Sequence, residues 1–507
     1  MSGLMERCAK QIAGVLACPD RALIQETLPT ESYADGMTRF LSARKIRIFD
    51  YTEFTKPLKD GIHENAKRIA QEAGVKIEFI RKLKSFRKED RIQEILKKRG
   101  DQPGLVHVFS AMERCNSYKP WHDKQTHRTF LKPDGGKCLH YYFYFIDEEL
   151  GLCYLRVPTW CPFRLQFYFN GHNWLARQLD KKQIGYTMLD NAFLAIDDWD
   201  KAQQLADRFD VRKLHRRLDQ YATRFCPVGK TFGENYHWSL MQSEYATDIV
   251  FHRAEDLAPV YEEISRTAIH AVKAEQVATF LGKKLHGNYE AEMGTHFHTR
   301  IEGTCIKHHA AGKAAIKMYD KFGRVLRIET TVNDVGFFRH YRKVEHCDGT
   351  SSMKQAPVKK TIYSLPVLAE LCRAANRRYL EFISALEEPS DGLKKMRKIA
   401  QPVREAGRNY RGFNLLAPDD QQLFQAIARG EHHISGFTNR SLRTTLTHHT
   451  PSQVSRLLKR LRTHGLIKKI GRTYKYYLTK LGQLAIVAAT KLRETLVVPA
   501  LTQTAST

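Results

Sequence analysis

The chain has 507 residues, more than one hydrophobic core usually holds, so two to four domains are expected. An apolar fraction of 42% suffices for packed cores and rules out a disordered polymer. A formal net charge of +27 calls for a polyanionic partner, with nucleic acid the default because neutralised phosphates release counterions. No apolar run approaches the ~20 residues of a membrane span, and no basic helix with a broad aromatic face suggests a membrane surface. The ten cysteines include no CxxC pair, which argues against a ribbon-type zinc site and for a reducing, cytoplasmic compartment. Isolated cysteines such as Cys153 and Cys161 read as small buried apolar residues. The N-terminal "MSGLMERCAKQIAGVLACPD" has a short apolar stretch but carries acidic residues and does not read as a signal peptide.

Residues 1–100 are expected to form a basic, mostly helical region. "IHENAKRIAQEAGV" has helical spacing and ends at Gly74, and the Lys/Arg-rich "IEFIRKLKSFRKEDRIQEILKKRG" stops at Gly100. That second stretch is either a solvated helical face or a phosphate-contacting arm. Residues 101–230 read as an aromatic-rich α/β domain, with "CLHYYFYFID" and "LCYLRVPT" as strands. Its aromatics are core residues or, on an exposed sheet, a surface for stacking bases, which would suit an RNA-binding protein. Trp121, His122, His140, Trp160 and His172 read as structural rather than as ligands.

Residues 231–345 read as a second α/β domain. "YHWSLMQSEYATDIVF" is a strand carrying Glu244 and Asp248, followed by helix and then by the strands "THFHTRIEGTCIKH", "AAIKMYDKFG" and "RVLRIETTV". Residues 346–417 are expected to be a polar linker and basic helices.

Residues 418–498 have the element order of a winged helix-turn-helix. "DDQQLFQAIARG" is a first helix, "TNRSLRTTL" a second capped by Thr438 or Asn439, and "TPSQVSRLLKRLRTHGL" a third with Thr450 or Ser452 near its cap. The apolar stripe Val454, Leu457, Leu458 and Leu461 leaves Gln453, Arg456, Lys459, Arg460 and Arg462 as candidate DNA contacts. "GLIKKIGRTYKYYLTKLG" adds a β-hairpin wing, with Lys468, Lys469, Arg472 and Lys475 set to meet phosphates. This segment resembles winged-helix DNA-binding regulators of the MarR type, which implies duplex recognition through the third helix and the wing.

The central hairpin carries the candidate chemistry. Strand alternation puts Lys317, Tyr319 and Lys321 on one face, with Arg327 and Glu329 on the next strand. Tyr319 is then expected near two cations that favour phenolate and attract phosphate, with Asp320 beside it. His296 and His298 share one face of a strand and form a candidate metal pair, with Glu244 and Asp248 as candidate carboxylate ligands for Mg²⁺ or Mn²⁺. The order "EYATDIVF", helix, "IKMYDKFG", "VLRIETT" is similar to the replication initiation factors of phages and rolling-circle plasmids. The resemblance implies a site-specific nickase that joins itself to DNA through a tyrosine. Glu244 stands where that family usually has a second Asp, and Tyr341 in "FFRHYRKVE", expected on a helix, is an alternative nucleophile.

The expected fold is α+β and multidomain, with a helical N-terminal region, central α/β domains with mixed or antiparallel sheets, and a C-terminal winged helix. The expected function is that of a mobile-element DNA endonuclease or nickase, by a tyrosine or a metal–water mechanism. A non-enzymatic DNA-binding regulator and an RNA-binding protein are the alternatives.

Overall fold

A computed structural model describes residues 3–81, 86–233, 235–284, 292–300, 303–384, 390–471 and 473–498. The protein is a mixed α+β molecule of two compact units, residues 1–385 and 386–507. Among the described residues no helix is long and apolar enough to cross a membrane.

The first unit runs through α1 (Gly3–Arg7), β1 (Ile12–Thr27), α2 (Ala34–Ala43), α3 (Tyr51–Glu72), β2 (Ile77–Phe79), α4 (Lys88–Arg99), β3 (Gly104–Asp123), β4 (Arg128–Asp147), β5 (Gly151–Pro158) and β6 (Gln166–Asn170). It continues with α5 (Gly171–Lys181), β7 (Tyr186–Leu189), β8 (Ala192–Ile196), α6 (Trp199–Ala206), α7 (Val211–Phe225), β9 (His237–Phe251), α8 (Ala254–His270) and α9 (Ala274–Phe280). It ends with β10 (Met293–Arg300), β11 (Gly303–Ala310), β12 (Ala314–Lys321), β13 (Val325–Val332), β14 (Arg339–Glu345), β15 (Ser351–Pro357) and α10 (Leu365–Ser384).

Eleven of these strands form one sheet, in the order β10-β11-β12-β13-β9-β1-β6-β5-β4-β3-β2. All its neighbours are antiparallel except β2 and β3. β1 lies in the middle and joins two meanders, so the expected domain boundaries at 100, 230 and 345 all fall inside one unit. The expectation of a mostly helical N-terminal region overlooks this strand. Its Pro19-Asp20 reads as a breaker, but the pair sits at a register shift between Pro19 and Arg21, a bulge that tolerates both. Beyond it the strand alternates regularly: Ala22, Ile24 and Glu26 are buried while Arg21, Leu23 and Gln25 are half-exposed.

One sheet face is covered by helices. α10 packs on β9 and β13, where Asn376 Nδ2 donates to Tyr245 O, Thr247 Oγ1 and Ile328 O. In β4 the odd-numbered Tyr141, Phe143 and Phe145 enter this core, and Phe143 stacks on Phe225 of α7 at 4.6 Å. The even-numbered Tyr142 and Tyr144 lie on the other face and pack with Ile92 of α4. The "HYYFYF" run is therefore packed on both sides, as core aromatics normally are. The expected linker after residue 345 is instead the β14–β15 hairpin, and α10 belongs to the core of the first unit. Tyr341 is 64% exposed on strand β14, not on a helix.

Glu26 lies inside this core, and burial pushes its carboxyl up to about 8. The folded form therefore holds a proton that the unfolded chain releases near the ordinary value of about 4.3. Stability from this group falls as pH rises from that value towards 8 and is lost above it. Glu26→Gln is expected to raise stability at pH 8 and above, by on the order of a few kcal/mol, with little change at pH 4. Thermal unfolding followed across that range checks it.

The second unit contains α11 (Ser390–Ala400), a hairpin of β16 (Val403–Glu405) and β17 (Arg408–Tyr410), α12 (Pro418–Ile427), α13 (Gly430–Ser435), α14 (Asn439–Arg443) and α15 (Pro451–Thr463). The hairpin of β18 (Ile467–Lys469) and β19 (Tyr476–Leu478) and the helix α16 (Lys480–Leu492) follow. Thr438 caps α14, Thr450 caps α15 in a capping box with Gln453, and Pro451 opens α15. Val454, Leu458 and Leu461 of α15 join Phe424 and Ile427 of α12 in the unit's own core.

Candidate functional site

The site lies on the sheet face opposite α10, where β1, β9, β12 and β13 meet. Register builds it: Lys317 pairs with Glu329, Tyr319 with Arg327, Arg327 with Asp248, and Thr331 with Glu244. Directly paired residues in antiparallel strands share a face. The bulge in β1 adds Asp20 to the same group. The start of α5 closes the back of the site. There Gly171 packs against Pro19 O so tightly that a Cβ would sit 2.0 Å from it.

Two layers result. The inner layer is a buried ion network. Arg327, fully buried, donates from Nε to Asp248 Oδ1 and from Nη2 to Asp248 Oδ2, both at 2.6 Å. Its Nη1 lies 3.4 Å from Asp20 Oδ2 and its Nη2 also meets Asn191 O at 2.7 Å. His172 stands between the two aspartates, 3.0 Å from Asp20 and 3.4 Å from Asp248. Burial would raise a lone carboxyl, but Arg327 and His172 outweigh it and hold Asp248 below the usual carboxylate range.

The outer layer lines a cleft of about 730 Å³. One oxygen each of Asp20, Glu244 and Glu329 lies within 4.8 Å of the others, a metal-compatible carboxylate triad. Asn170 and Asn191 each donate to Asp20 Oδ1, at 2.9 and 2.8 Å, and fix its orientation. Lys317 Nζ bridges Glu329 Oε1 at 2.6 Å and Glu244 Oε1 at 3.0 Å. Tyr319 OH donates to Glu329 Oε2 at 2.8 Å. Burial raises Glu329, with Lys317 opposing and Glu244 adding to the shift. Burial and the facing Glu329 push the Tyr319 phenol well above its ordinary value. Burial works against the Lys317 ammonium, but Glu329 and Glu244 hold it firmly charged.

Several expectations change. Arg327 and Asp248 are buried in each other's company, so neither reaches a phosphate or a metal in the cleft. Tyr319 faces a carboxylate rather than two cations, so the protein does not stabilise its phenolate unaided. Lys321 lines the cleft and pairs with Asp190 at 3.1 Å. Asp320 also lines it, with Oδ1 buried and unpartnered. The expected histidine pair has no counterpart in the acidic cluster. His296 is exposed on the edge strand β10 and stacks on His309 at 4.8 Å, three strands and roughly 14 Å from Glu329. The side chain of His298 lies outside the described residues. Asp20, Asn170 and Asn191 are residues around the cleft that the sequence reading missed, and His172, read there as structural, lies in the buried network. Lys317 was legible from alternation with Tyr319, but Asp20 lies more than 200 residues upstream of Glu244 and Glu329.

In the second unit Arg456, Arg462, Lys468 and Lys475 are exposed. Lys469 is half-buried and lies over the ring of Tyr474 at 5.3 Å. Lys459 pairs with Glu405 at 2.7 Å. Gln453 Oε1 accepts from Thr450 N at 2.6 Å in the cap of α15. Arg460 is a correction: it is 6% exposed and bound to Asp420 at 2.7 Å and to Arg411 O at 3.0 Å, so it holds the unit together instead of reading DNA. Arg472 lies outside the described residues.

Comparison of the chain with known protein families, with curated proteins and with solved structures finds no match.

Proposed function

We propose that the protein is a metal-dependent DNA-cleaving enzyme, a nickase of the kind that processes mobile genetic elements in the cytoplasm. The observation that carries this is the convergence of Asp20, Glu244 and Glu329 beside Tyr319 in an open cleft. Three carboxylates in a cleft repel a phosphodiester unless a cation intervenes. Hard oxygen donors in this number suit Mg²⁺ or Mn²⁺ better than a soft metal. Bound there, such an ion would polarise a phosphoryl oxygen and offset the triad's charge. Lys317, which bridges Glu244 and Glu329, is the cation in the cleft that would meet a phosphate oxygen.

Tyr319 is the nucleophile in this reading. Its Oη forms a bond to phosphorus as the bond to the leaving sugar oxygen breaks. The phenolic proton passes along the existing hydrogen bond to Glu329 Oε2, and the leaving oxygen takes a proton from solvent. If water attacks instead, Glu329 takes its proton in the same way. The ten cysteines are all free, which supports a reducing compartment.

The second unit is read as a winged helix that places the enzyme on duplex DNA. Its support is the order of helices α12 to α15, the β18–β19 hairpin and α16, with Arg456, Lys468 and Lys475 exposed on α15 and the hairpin. Arg456→Ala is expected to weaken duplex binding by about 1–3 kcal/mol with the fold intact. Lys468→Ala should reduce the salt dependence by about one neutralised phosphate. Arg460→Ala should instead destabilise the unit itself, by about 3–5 kcal/mol, by leaving the buried Asp420 without its main cation. Anisotropy titrations at several salt concentrations, beside thermal melts, separate these effects. A regulator without catalysis would leave the acidic cleft of the first unit without a role.

A further inference from the structure

A second cavity, of about 650 Å³, opens on the first unit at some distance from the acidic cleft. Arg114, Lys137, Arg156 and Arg164 line it and no carboxylate does. Gln25, His140 and Arg156 place it on the same sheet face as the acidic cleft. The register runs from Arg156 to Gln166 on β6 and from Gln166 to Gln25 on β1.

The pocket is built, not a chance patch of surface charge. Arg156 is held by Glu113 Oε2 at 3.3 Å and Gln166 Oε1 at 3.3 Å, and it donates to His140 Nε2 at 2.9 Å. Burial, aided by Arg156, lowers His140 to about 4, so the imidazole is neutral and free to accept. Arg164 is anchored to Ser32 O. Beyond these bonds, Arg156 Nε and Arg164 Nε remain buried with no partner. Buried donors without acceptors are costly, and a multi-oxygen anion is the ligand that satisfies several at once.

Between this pocket and the cleft lies an aromatic step. Tyr154 of β5 and Tyr168 of β6 stack at 5.0 Å and 10°, both half-exposed, with Arg21 over Tyr168 at 5.8 Å. They line a third cavity of about 570 Å³, which shares Asp190 and Asn191 with the acidic cleft. From β13 to β5 is four strand spacings, about 19 Å of sheet. A line of phosphate-binding cations and stacking rings is how single strands are held, because only an unpaired base can lie on a ring.

We propose that the basic pocket binds a backbone phosphodiester of a single-stranded substrate, several nucleotides from the bond in the acidic cleft, with Tyr154 and Tyr168 stacking an intervening base. This rests on the nuclease reading for the identity of the strand. The site itself is independent of catalysis.

The test uses the full chain and a fluorescent single-stranded oligonucleotide library, without added divalent metal. Arg114→Ala/Lys137→Ala removes two exposed cations. Tyr154→Ala removes a ring, and Arg156→Lys keeps the charge but not the Nε donor. A long strand should bind the double variant about tenfold more weakly, with the salt slope reduced by about 0.7 for each phosphate no longer neutralised. A strand too short to leave the cleft should not discriminate. Tyr154→Ala should also weaken only the long strand, by about 5- to 150-fold. Unchanged affinity and salt slope for folded variants overturn the proposal, as does a free nucleotide that competes as well as the strand. Unchanged strand binding in these variants therefore counts against the basic pocket, whereas strand binding without any cleavage by wild type in Mn²⁺ counts against the acidic cleft.

Discussion

Glu329→Gln should lower metal-dependent strand cleavage by about 10²–10⁴-fold and leave the protein folded. Glu329 is 2% exposed and meets both Tyr319 and Lys317. Burial already disfavours its charge, so an uncharged amide of the same shape costs the fold little. What the amide cannot do is accept the phenolic proton or contribute charge to a bound cation. Tyr319→Phe divides the two chemical routes. If the tyrosine attacks, this variant loses cleavage and the protein-linked DNA end together. If water attacks, cleavage survives in Tyr319→Phe and remains sensitive to Glu329. Single-turnover rates with Mn²⁺ and denaturing gels for covalent adducts read both outcomes.

Arg327→Leu should have the largest effect on stability, about 3–5 kcal/mol, comparable with the whole stability of many domains. The substitution leaves Asp248 and Asp20 buried without their main cation. Arg327→Lys keeps the charge but loses the two-pronged grip on Asp248, so a smaller loss is expected. The same network sets acid sensitivity. Asp248 is held below its ordinary value in the folded protein, so its contribution is present above pH 4. It is lost as pH falls below that value through the lowered folded one. Arg327→Leu should therefore flatten the acid limb of the stability curve as well as lower the plateau. Chemical unfolding followed by circular dichroism between pH 3 and 8 checks both effects.

Much of this was legible locally. The alternation in "IKMYDKFG" and "RVLRIETT" gave the two strands of the site, and register then brought Lys317, Tyr319 and Glu329 together. Caps and turn residues marked α14 and α15. What alternation cannot say is how deep a face lies. Arg327 and Asp248 share the side of Tyr319, yet they are sealed beneath Asn191 and His172, which come from other parts of the chain. Arg460 follows the same rule: its helical angle suggests an exposed flank, but Asp420 and the carbonyls of residues 411 and 412 enclose it. Asp20 was hidden for a different reason. A carboxylate next to proline in a mostly apolar run looks like a turn, and only the pairing of β1 with β9 reveals the bulge.

The most direct measurement is a cleavage assay with a pool of supercoiled plasmids and randomised single strands in Mn²⁺. Wild type, Asp20→Asn, Glu244→Gln and Glu329→Gln would run in parallel, with a chelator as control. Metal-dependent nicks in wild type that vanish in all three variants, each of them folded, are the predicted result. Cleavage that persists in the folded triad variants, or none from wild type on any member of the pool, would contradict the assignment of this cleft as the cutting site.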